Sequence, residues 1–464
     1  MYKAYITALT NVRKHPNADR LLLADVFGNT VCVSTDYTEG QIGVYFPTDG
    51  QLSVEFAEKN NLLRKKDDAG NNIGGYMDPD KRNVTAIRLR GEKSDGLFLP
   101  LSCLAYTGVN LDTLSVGDVI DGTVNGHDIC QKYIPRTNHR QGHVTDGNKT
   151  RKHKVPTAPL FAEHADTEQL AYNLGAFKPG DEIEITLKMH GTSQRTGYLP
   201  LLKGYKRTLL DRLLRREGKP IYDWGYVSGT RRVVLENYEG GFYGDNAFRE
   251  QHSKMFEGKL NKGETVYYEV VGFTDSGAPI MASANNAKMN DKAFTKQYGA
   301  ETVFSYGCSP DGVAEITVPE LPYSPVVDRP QSDIYVYRMT MTNEDGFVIE
   351  YSPDFMRYRC EQMGVKCVPV FAKAILNEES RFVINDDSTE PGDLGAYVMK
   401  MAELFYDGPD PIGKTHVREG VVVRIINRPK FCAYKHKNWS FKCLEGLVKV
   451  EATEPDMEEA QDVE

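Results

Sequence analysis

The sequence predicts an α+β fold in which a small β-barrel precedes a larger domain of antiparallel sheets with flanking helices. Three observations predict it. Residues 1–134 carry short apolar runs separated by Gly and Asp-Gly turn signals, the spacing of a small barrel. Residues 135–156 are polar and basic, without apolar period, and read as a linker. Beyond them, Ile183, Ile185 and Leu187 alternate with the period of a half-buried strand, and Leu209, Leu210, Leu213 and Leu214 recur with that of a helix.

Taken in order, strands are expected at Lys3–Thr10, Leu21–Phe27, Thr30–Ser34, Gly43–Phe46, Ala86–Arg90 and Gly96–Leu99. Between the first two, His15-Pro16-Asn17-Ala18-Asp19 resembles a stretch of OB-fold tRNA-binding modules. The alternative is a turn built by Pro16, Asn17 and Asp19 that joins two strands; both readings agree on an OB-like barrel. The linker bases Arg136, Arg140, Lys149, Arg151, Lys152 and Lys154 suit a phosphate backbone or a solvated tether equally well. Phe161–His164 and Thr167–Leu174 read as a short helix before the Ile183–Leu187 strand. Thr208–Glu217 reads as a helix with arginines on one face, either RNA-facing or merely solvated.

Composition narrows the class. At 464 residues, 40% hydrophobic and 26% charged, the chain is ordinary for a globular protein of two or three domains. No run approaches the length of a membrane span, and Met1-Tyr2-Lys3-Ala4 opens no signal peptide, so a cytoplasmic protein with no membrane partner is expected. Cys32, Cys103, Cys130, Cys308, Cys360, Cys367, Cys432 and Cys443 form no Cys-x-x-Cys pair and read as reduced thiols. Seven acids and no base in residues 451–464 account for most of the formal net charge of −9, which leaves the rest nearly neutral. That tail is expected to be disordered.

The chemistry concentrates downstream of the strand ending at Leu187. Lys188 stands at its end, in Lys188-Met189-His190-Gly191-Thr192. A strand fixes the direction of an amine, neighbouring charge or a metal can free its lone pair, and Gly191 lets the turn lie close against a phosphate. Lys-x-x-Gly alone says little. Three further motifs follow in order: Glu269 in Tyr267-Tyr268-Glu269-Val270-Val271-Gly272, Glu419 in Glu419-Gly420-Val421-Val422-Val423, and Lys435-His436-Lys437. Strand period places Lys435 and Lys437 on one face, where two amines can grip one phosphate, and places Glu419 on a face with Val421 and Val423. Two carboxylates near three lysines would be an expensive structural core, which favours a phosphate and metal site.

This series resembles the covalent nucleotidyltransferases, the polynucleotide ligases and mRNA capping enzymes. The resemblance implies an ATP-grasp-like nucleotidyltransferase domain over 157–450, following the OB-like domain at 1–134. It implies that Lys188 attacks the ATP α-phosphate to give lysyl-AMP, that AMP passes to a 5′-phosphate, and that a 3′-OH displaces it. Lys435 and Lys437 would join Lys188 in catalysis. The nucleotide would lie among Leu187, Gly191, Arg231, Arg232, Glu269, Tyr337, Lys435 and Lys437, with Tyr337 stacking on adenine; a core tyrosine is the alternative there. Mg2+ or Mn2+ would be held by Glu419 and Glu269, partly through water.

DNA ligases and capping enzymes usually carry Lys-x-Asp-Gly and place an OB domain after the last motif. Here the third position is His190, the barrel comes first, and little follows Lys437. The chain is therefore similar to RNA ligases of the second type and, in layout, to the fifth RNA ligase family. An ATP-dependent, monomeric RNA ligase is expected. The alternatives are a DNA ligase, a capping guanylyltransferase, or a non-enzymatic RNA- or tRNA-binding module. Stretches near 199–220, 307–334 and 352–415 read as insertions of unassigned role.

Overall fold

The computed structural model describes residues 2–66, 72–133, 157–164, 167–208, 218–235, 238, 247–274, 280, 332–381, 393–412, 418–439, 441 and 448–449. Over these residues the architecture is α+β, with mostly antiparallel sheets and few helices. They divide into two compact units: one holds the described residues up to 133 and Val448–Lys449, the other those from 157 to 441. Among the described residues no helix is long and apolar enough to cross a membrane. Residues 135–156, Phe304–Tyr306 and the 451–464 tail, with most of Thr208–Glu217 and of 307–334, lie outside the described residues.

In the first unit, Ala4–Ala8 pairs on one edge with Ile42–Phe46 and on the other with Val119–Ile120, and Leu97–Pro100 extends that sheet. Thr10–Lys14, Leu21–Val26 and Asn29–Ser34 form an antiparallel meander. The apolar runs are what these strands bury: Ala4, Val44 and Phe46 meet Leu52, Phe56 and Leu104 in one core. Phe56 arrives on a helix, Val54–Lys59, whose first turn is capped by Ser53 Oγ accepting the Phe56 N–H at 3.0 Å. Pairing among the described residues is shared between short sheets and traces no single closed ring. Val448–Lys449 adds in parallel to Ala86–Leu89, so the end of the stretch assigned by sequence to the second domain pairs within the first unit.

The His15–Asp19 stretch shows a packing role. The Asn17 N–H donates to His15 Nδ1 at 3.1 Å, which leaves Nε2–H to donate to the Leu89 carbonyl at 3.0 Å. Asn17 Nδ2 donates to the Arg90 carbonyl at 2.9 Å. The buried imidazole thereby pins the turn to the hairpin of Ala86–Leu89 and Glu92–Asp95.

The described strands of the second unit form two sheets. In one, Glu168–Gln169, Cys432–Lys437, Gly420–Ile425, Glu182–Leu187 and Val370–Ile375 lie side by side, antiparallel except for the first pair. In the other, the order is Lys219–Gly229, Thr192–Lys206, Glu264–Gly272, Ser332–Thr342 and Val348–Glu350, with Lys366–Cys367 parallel to Ser332–Thr342. The residues Lys188 to Gly191 carry the chain from the first sheet to the second. Leu187, Met189, Val271, Tyr335 and Val368 bury one another where the sheets meet beside this crossover.

Two expectations are corrected here. Among the described residues from 157 to the Lys188 strand there is no α-helix: Glu168–Gln169 is a short strand, followed by 3-10 turns at Leu170–Tyr172 and Leu174–Ala176. The carbonyls of Phe161 and Ala162 instead accept from buried Arg195, a partner distant in sequence. The stretch 352–415 is also no appendage. Its helix Pro353–Met363 starts at the Ser352 cap, ends at Gly364 with φ +69°, and sends Met356, Cys360 and Met363 into the core; Val370–Ile375 flanks the Lys188 strand.

Candidate active site

Backbone pairing delivers Lys188 to its place. Leu187 lies opposite Val421, and the Lys188 N–H donates to the Gly420 carbonyl at 3.0 Å, so the ladder holds the chain up to the lysine. Its Nζ then lies 2.6 Å from Glu419 Oε1. Lys437 Nζ reaches the same oxygen at 3.2 Å, and His190 Nδ1 lies 3.7 Å from Oε2. Burial alone would raise the Glu419 carboxyl, but Lys188 and Lys437, with nearby His190, outweigh it and hold the group well below the usual carboxylate range. Lys188 keeps 24% of its side chain exposed against 3% for Glu419, so the amine is the accessible member of the pair.

Glu419 does not reach this point by strand alternation. Cross-strand partners share a face, and Lys435 and Lys437 stand opposite Val422 and Gly420. Val421 and Val423 therefore project from the other face, contrary to the expectation that Glu419 shares theirs toward the cleft. The chain is redirected at Gly420, whose φ is +141° and where a Cβ would meet the His436 carbonyl oxygen at 2.1 Å. Only glycine lets the strand bearing Glu419 lie so close to the one bearing Lys437. Lys435 is half-buried on the Lys437 face.

Glu269 is half-buried on the neighbouring sheet, opposite Ser193 and Tyr335. Burial pushes its carboxyl up to about 7; Glu419 adds repulsion, while Lys188, Arg231 and Arg249 act against it. The two carboxylates thus sense each other and Lys188. Gly191 is explained by the same strand: a Cβ there would lie 2.4 Å from the Val270 carbonyl oxygen and 2.9 Å from Glu269 Cγ. The close approach it permits is to Glu269–Val271, where sequence reasoning expected a phosphate.

Tyr337 occupies a β-bulge. Tyr268 faces Val336 and Tyr267 faces Arg338, so Tyr337 is the extra residue between them, a placement that re-aims a side chain. Its hydroxyl is 2.8 Å from Ser193 Oγ, and burial, then Glu269, raise its proton affinity. Its ring centroid lies 5.2 Å from that of His164. Buried His164 receives Arg338 Nη1 on Nδ1 at 3.2 Å, and its backbone N–H donates to the Arg231 carbonyl at 3.1 Å. Of the arginine pair, Arg231 is the one whose charge bears on Glu269 and Tyr337; Arg232 is exposed beside it. Leu187 is buried in the core cluster beside the crossover.

His164, Arg338 and Arg249 escaped the sequence reading. Arg249, on the helix Ala247–Lys254, donates to Thr192 Oγ1 at 2.7 Å and to Gln194 Oε1 and the Ser193 carbonyl at 3.3 Å, fixing the start of the strand after Gly191. None of the three belongs to a local motif; tertiary pairing brings them in.

Among the described residues no three His, Cys, Asp or Glu side chains gather to hold a metal ion. The hard oxygen donors of the site are Glu419 and Glu269, whose mutual repulsion a cation would relieve. The residues fit a divalent ion whose remaining ligands are water and phosphate oxygens.

Neither a protein-family model nor a curated protein matches the chain. Among solved structures it is similar to those of a Naegleria gruberi RNA ligase. A lysine-to-alanine mutant with ATP and Mn is 16% identical with a TM-score of 0.54, over 96% of this chain and 98% of that one. The ligase with PPi is 16% identical with a TM-score of 0.53, over 95% and 97%. A lysine-to-methionine mutant with AMP and Mn is 16% identical with a TM-score of 0.51, over 96% and 98%. The likeness is one of fold, and it runs nearly the full length of both chains.

Proposed function

We propose that this protein is an ATP-dependent RNA ligase that joins a 3′-OH to a 5′-phosphate. The observation that carries the reading is the meeting of Lys188, Lys437 and His190 on Glu419 at the crossover between two sheets. Its setting supports it: the fold resembles, from end to end, that of an RNA ligase solved with ATP, AMP and Mn.

In this reading Lys188 Nζ, having lost a proton, forms a bond to the α-phosphorus of ATP as the bond to pyrophosphate breaks. Glu419 aims the amine before attack. Lys437 and Lys435, on one strand face, meet the charge that develops on the phosphate oxygens. Glu419 and Glu269 would hold Mg2+ or Mn2+, which would supply positive charge that offsets the phosphates. Leu187, Gly191, Arg231, Arg232, Glu269 and Tyr337 belong to the nucleotide pocket, with the Tyr337 ring against adenine. The AMP then passes to the 5′-phosphate, and the 3′-OH displaces it. The first unit, as an OB-like module at 1–134, engages RNA and contributes no phosphate chemistry.

The test is incubation with α-labelled ATP or GTP, followed by peptide mapping and a panel of nicks with RNA or DNA on each side. Label from ATP on Lys188, absent in Lys188→Ala, and faster sealing with RNA at the 3′-OH are expected. Label elsewhere sinks the nucleophile assignment. Equal rates on RNA and DNA termini would favour a DNA ligase.

A further inference from the structure

Glu419 and Lys437 meet where their two strands stop pairing. Gly420 opposite Lys437 is the last pair of that ladder, so Glu419 and Asn438 lie one residue beyond it. The end of a ladder frays unless something else holds it. Here one turn, Phe405–Pro409, bonds both to the residue before Glu419 and to the residue after Lys437.

Arg418 comes just before Glu419. Its backbone N–H donates to the Gly408 carbonyl at 3.0 Å, and its guanidinium donates to the carbonyls of Phe405 at 2.7 Å and Pro409 at 2.9 Å. One residue thereby spans the turn from end to end. The guanidinium also lies 4.7 Å over the ring of Phe371, and that ring stacks on Phe405 with centroids 5.5 Å apart and planes 9° from parallel. Phe371 belongs to Val370–Ile375, so the turn touches strands on both sides of the one that ends before Lys188.

Asn438 comes just after Lys437 and is buried. Its backbone N–H donates to the Glu419 carbonyl at 2.9 Å, and its Nδ2 donates to Asp407 Oδ1 at 2.6 Å and to the Tyr406 carbonyl at 3.4 Å. Asp407 Oδ1 accepts the Gly408 N–H at 2.7 Å as well. A charged acceptor makes the shorter and stronger kind of hydrogen bond.

We propose that the turn is a clamp that positions Glu419 and Lys437 against Lys188, with Asp407 and Asn438 as its positioning residues. They act through the backbone that carries the two charged side chains. Reacting groups need such support, because a contact held only at a fraying strand end loses its aim. The inference deepens the RNA-ligase reading and rests on it for the chemistry the clamp serves. It also gives the later part of the 352–415 stretch a task.

The experiment follows rapid transfer of label from ATP to the full-length protein and separates three quantities: the rate at saturating ATP, the ATP concentration at half that rate, and the amplitude. Asp407→Ala and Asn438→Ala should each lower the saturating rate by roughly 10–100-fold, the cost of a small misplacement of reacting groups. Amplitude and half-saturation should not move. Asp407→Asn keeps an acceptor oxygen and should restore most of the rate. The double variant should lose no more than the worse single one, because both residues act through one contact. Unchanged rates, additive losses, or a fall in amplitude alone overturn the proposal; the last would mean that the turn only keeps the protein folded. Asp407 is exposed, so its variants carry the test even if Asn438→Ala fails to fold. Wild-type protein that never labels defeats the ligase reading, and hydrogen exchange then decides the clamp. Asp407→Ala should speed exchange of the Lys188 and Asn438 amides, which donate to the Gly420 and Glu419 carbonyls; unchanged protection there overturns it.

Discussion

Lys188 and Lys437, from different strands of one sheet, meet at a single oxygen, Glu419 Oε1, at 2.6 and 3.2 Å. The carboxylate is the hub that sets where both amines point. Glu419→Gln keeps its shape and removes its charge. Label transfer to Lys188 should fall by ~10²–10³, the cost of losing one preorganised charge. A cooperative melt checks that the protein stays folded, and near-normal labelling would count against the hub.

Gly191→Ala tests the close approach at the crossover. The new methyl would press on the Val270 carbonyl and on Glu269. Overpacking of this kind typically costs about 1–3 kcal/mol. Urea denaturation should show that loss, and labelling should slow because Lys188 and Glu269 are displaced together. Unaltered stability and rate would mean the crossover has more room than its geometry indicates.

His252 predicts an acid-sensitive step in stability. It is buried with Nε2 2.8 Å from Ser332 Oγ, and burial lowers its pKa to about 4 from an ordinary 6.5, slightly opposed by Asp333. The unfolded chain binds the proton more tightly, so stability is fully present above pH 6.5 and is lost as pH falls toward 4. The loss is at most about 3 kcal/mol. His252→Gln should flatten melting temperature between pH 7 and pH 5 relative to wild type; parallel curves would exclude His252 as the source.

Arg359 and Glu264 form a buried pair away from the crossover, with Arg359 Nη2 2.7 Å from Oε2 and Nε 2.9 Å from Oε1. Burial works against the Glu264 charge, but Arg359, the Asn261 N–H and Tyr351 hold the group below its ordinary range. Arg359→Met should destabilise by about 3–5 kcal/mol, because it strands a buried carboxylate. Adding Glu264→Gln should recover part of that loss. No recovery in the double variant would assign the cost to packing instead.

The elements that chemistry marks locally were legible in the sequence. Lys188, Glu419 and Lys437 stand out through the order of motifs that resembles the covalent nucleotidyltransferases, and they converge on one contact. Strands such as Leu21–Val26 and Asn29–Ser34 follow their apolar alternation. What escaped depends on partners distant in sequence or on one backbone angle. Gly420 turns Glu419 off the valine face, a bulge isolates Tyr337, and Phe161 and Ala162 give their carbonyls to Arg195. Helix Pro353–Met363 had its signals, a serine cap before proline and a glycine after its last turn, but was hidden inside a stretch read as an insertion.

Both neighbours of the Lys188 strand, Val370–Ile375 and Gly420–Ile425, come far later in the chain. During synthesis at about 5–20 residues per second, Glu182–Leu187 therefore waits on the order of ten to forty seconds before either partner leaves the ribosome. Until then Ile183, Ile185 and Leu187 belong to a strand with two open edges, a template for pairing with other nascent chains. A message truncated before the Val370 codon would leave that state permanent: Lys188 would be translated, yet its strand would lack both flanking partners and the Glu419 carboxylate that Lys188 contacts.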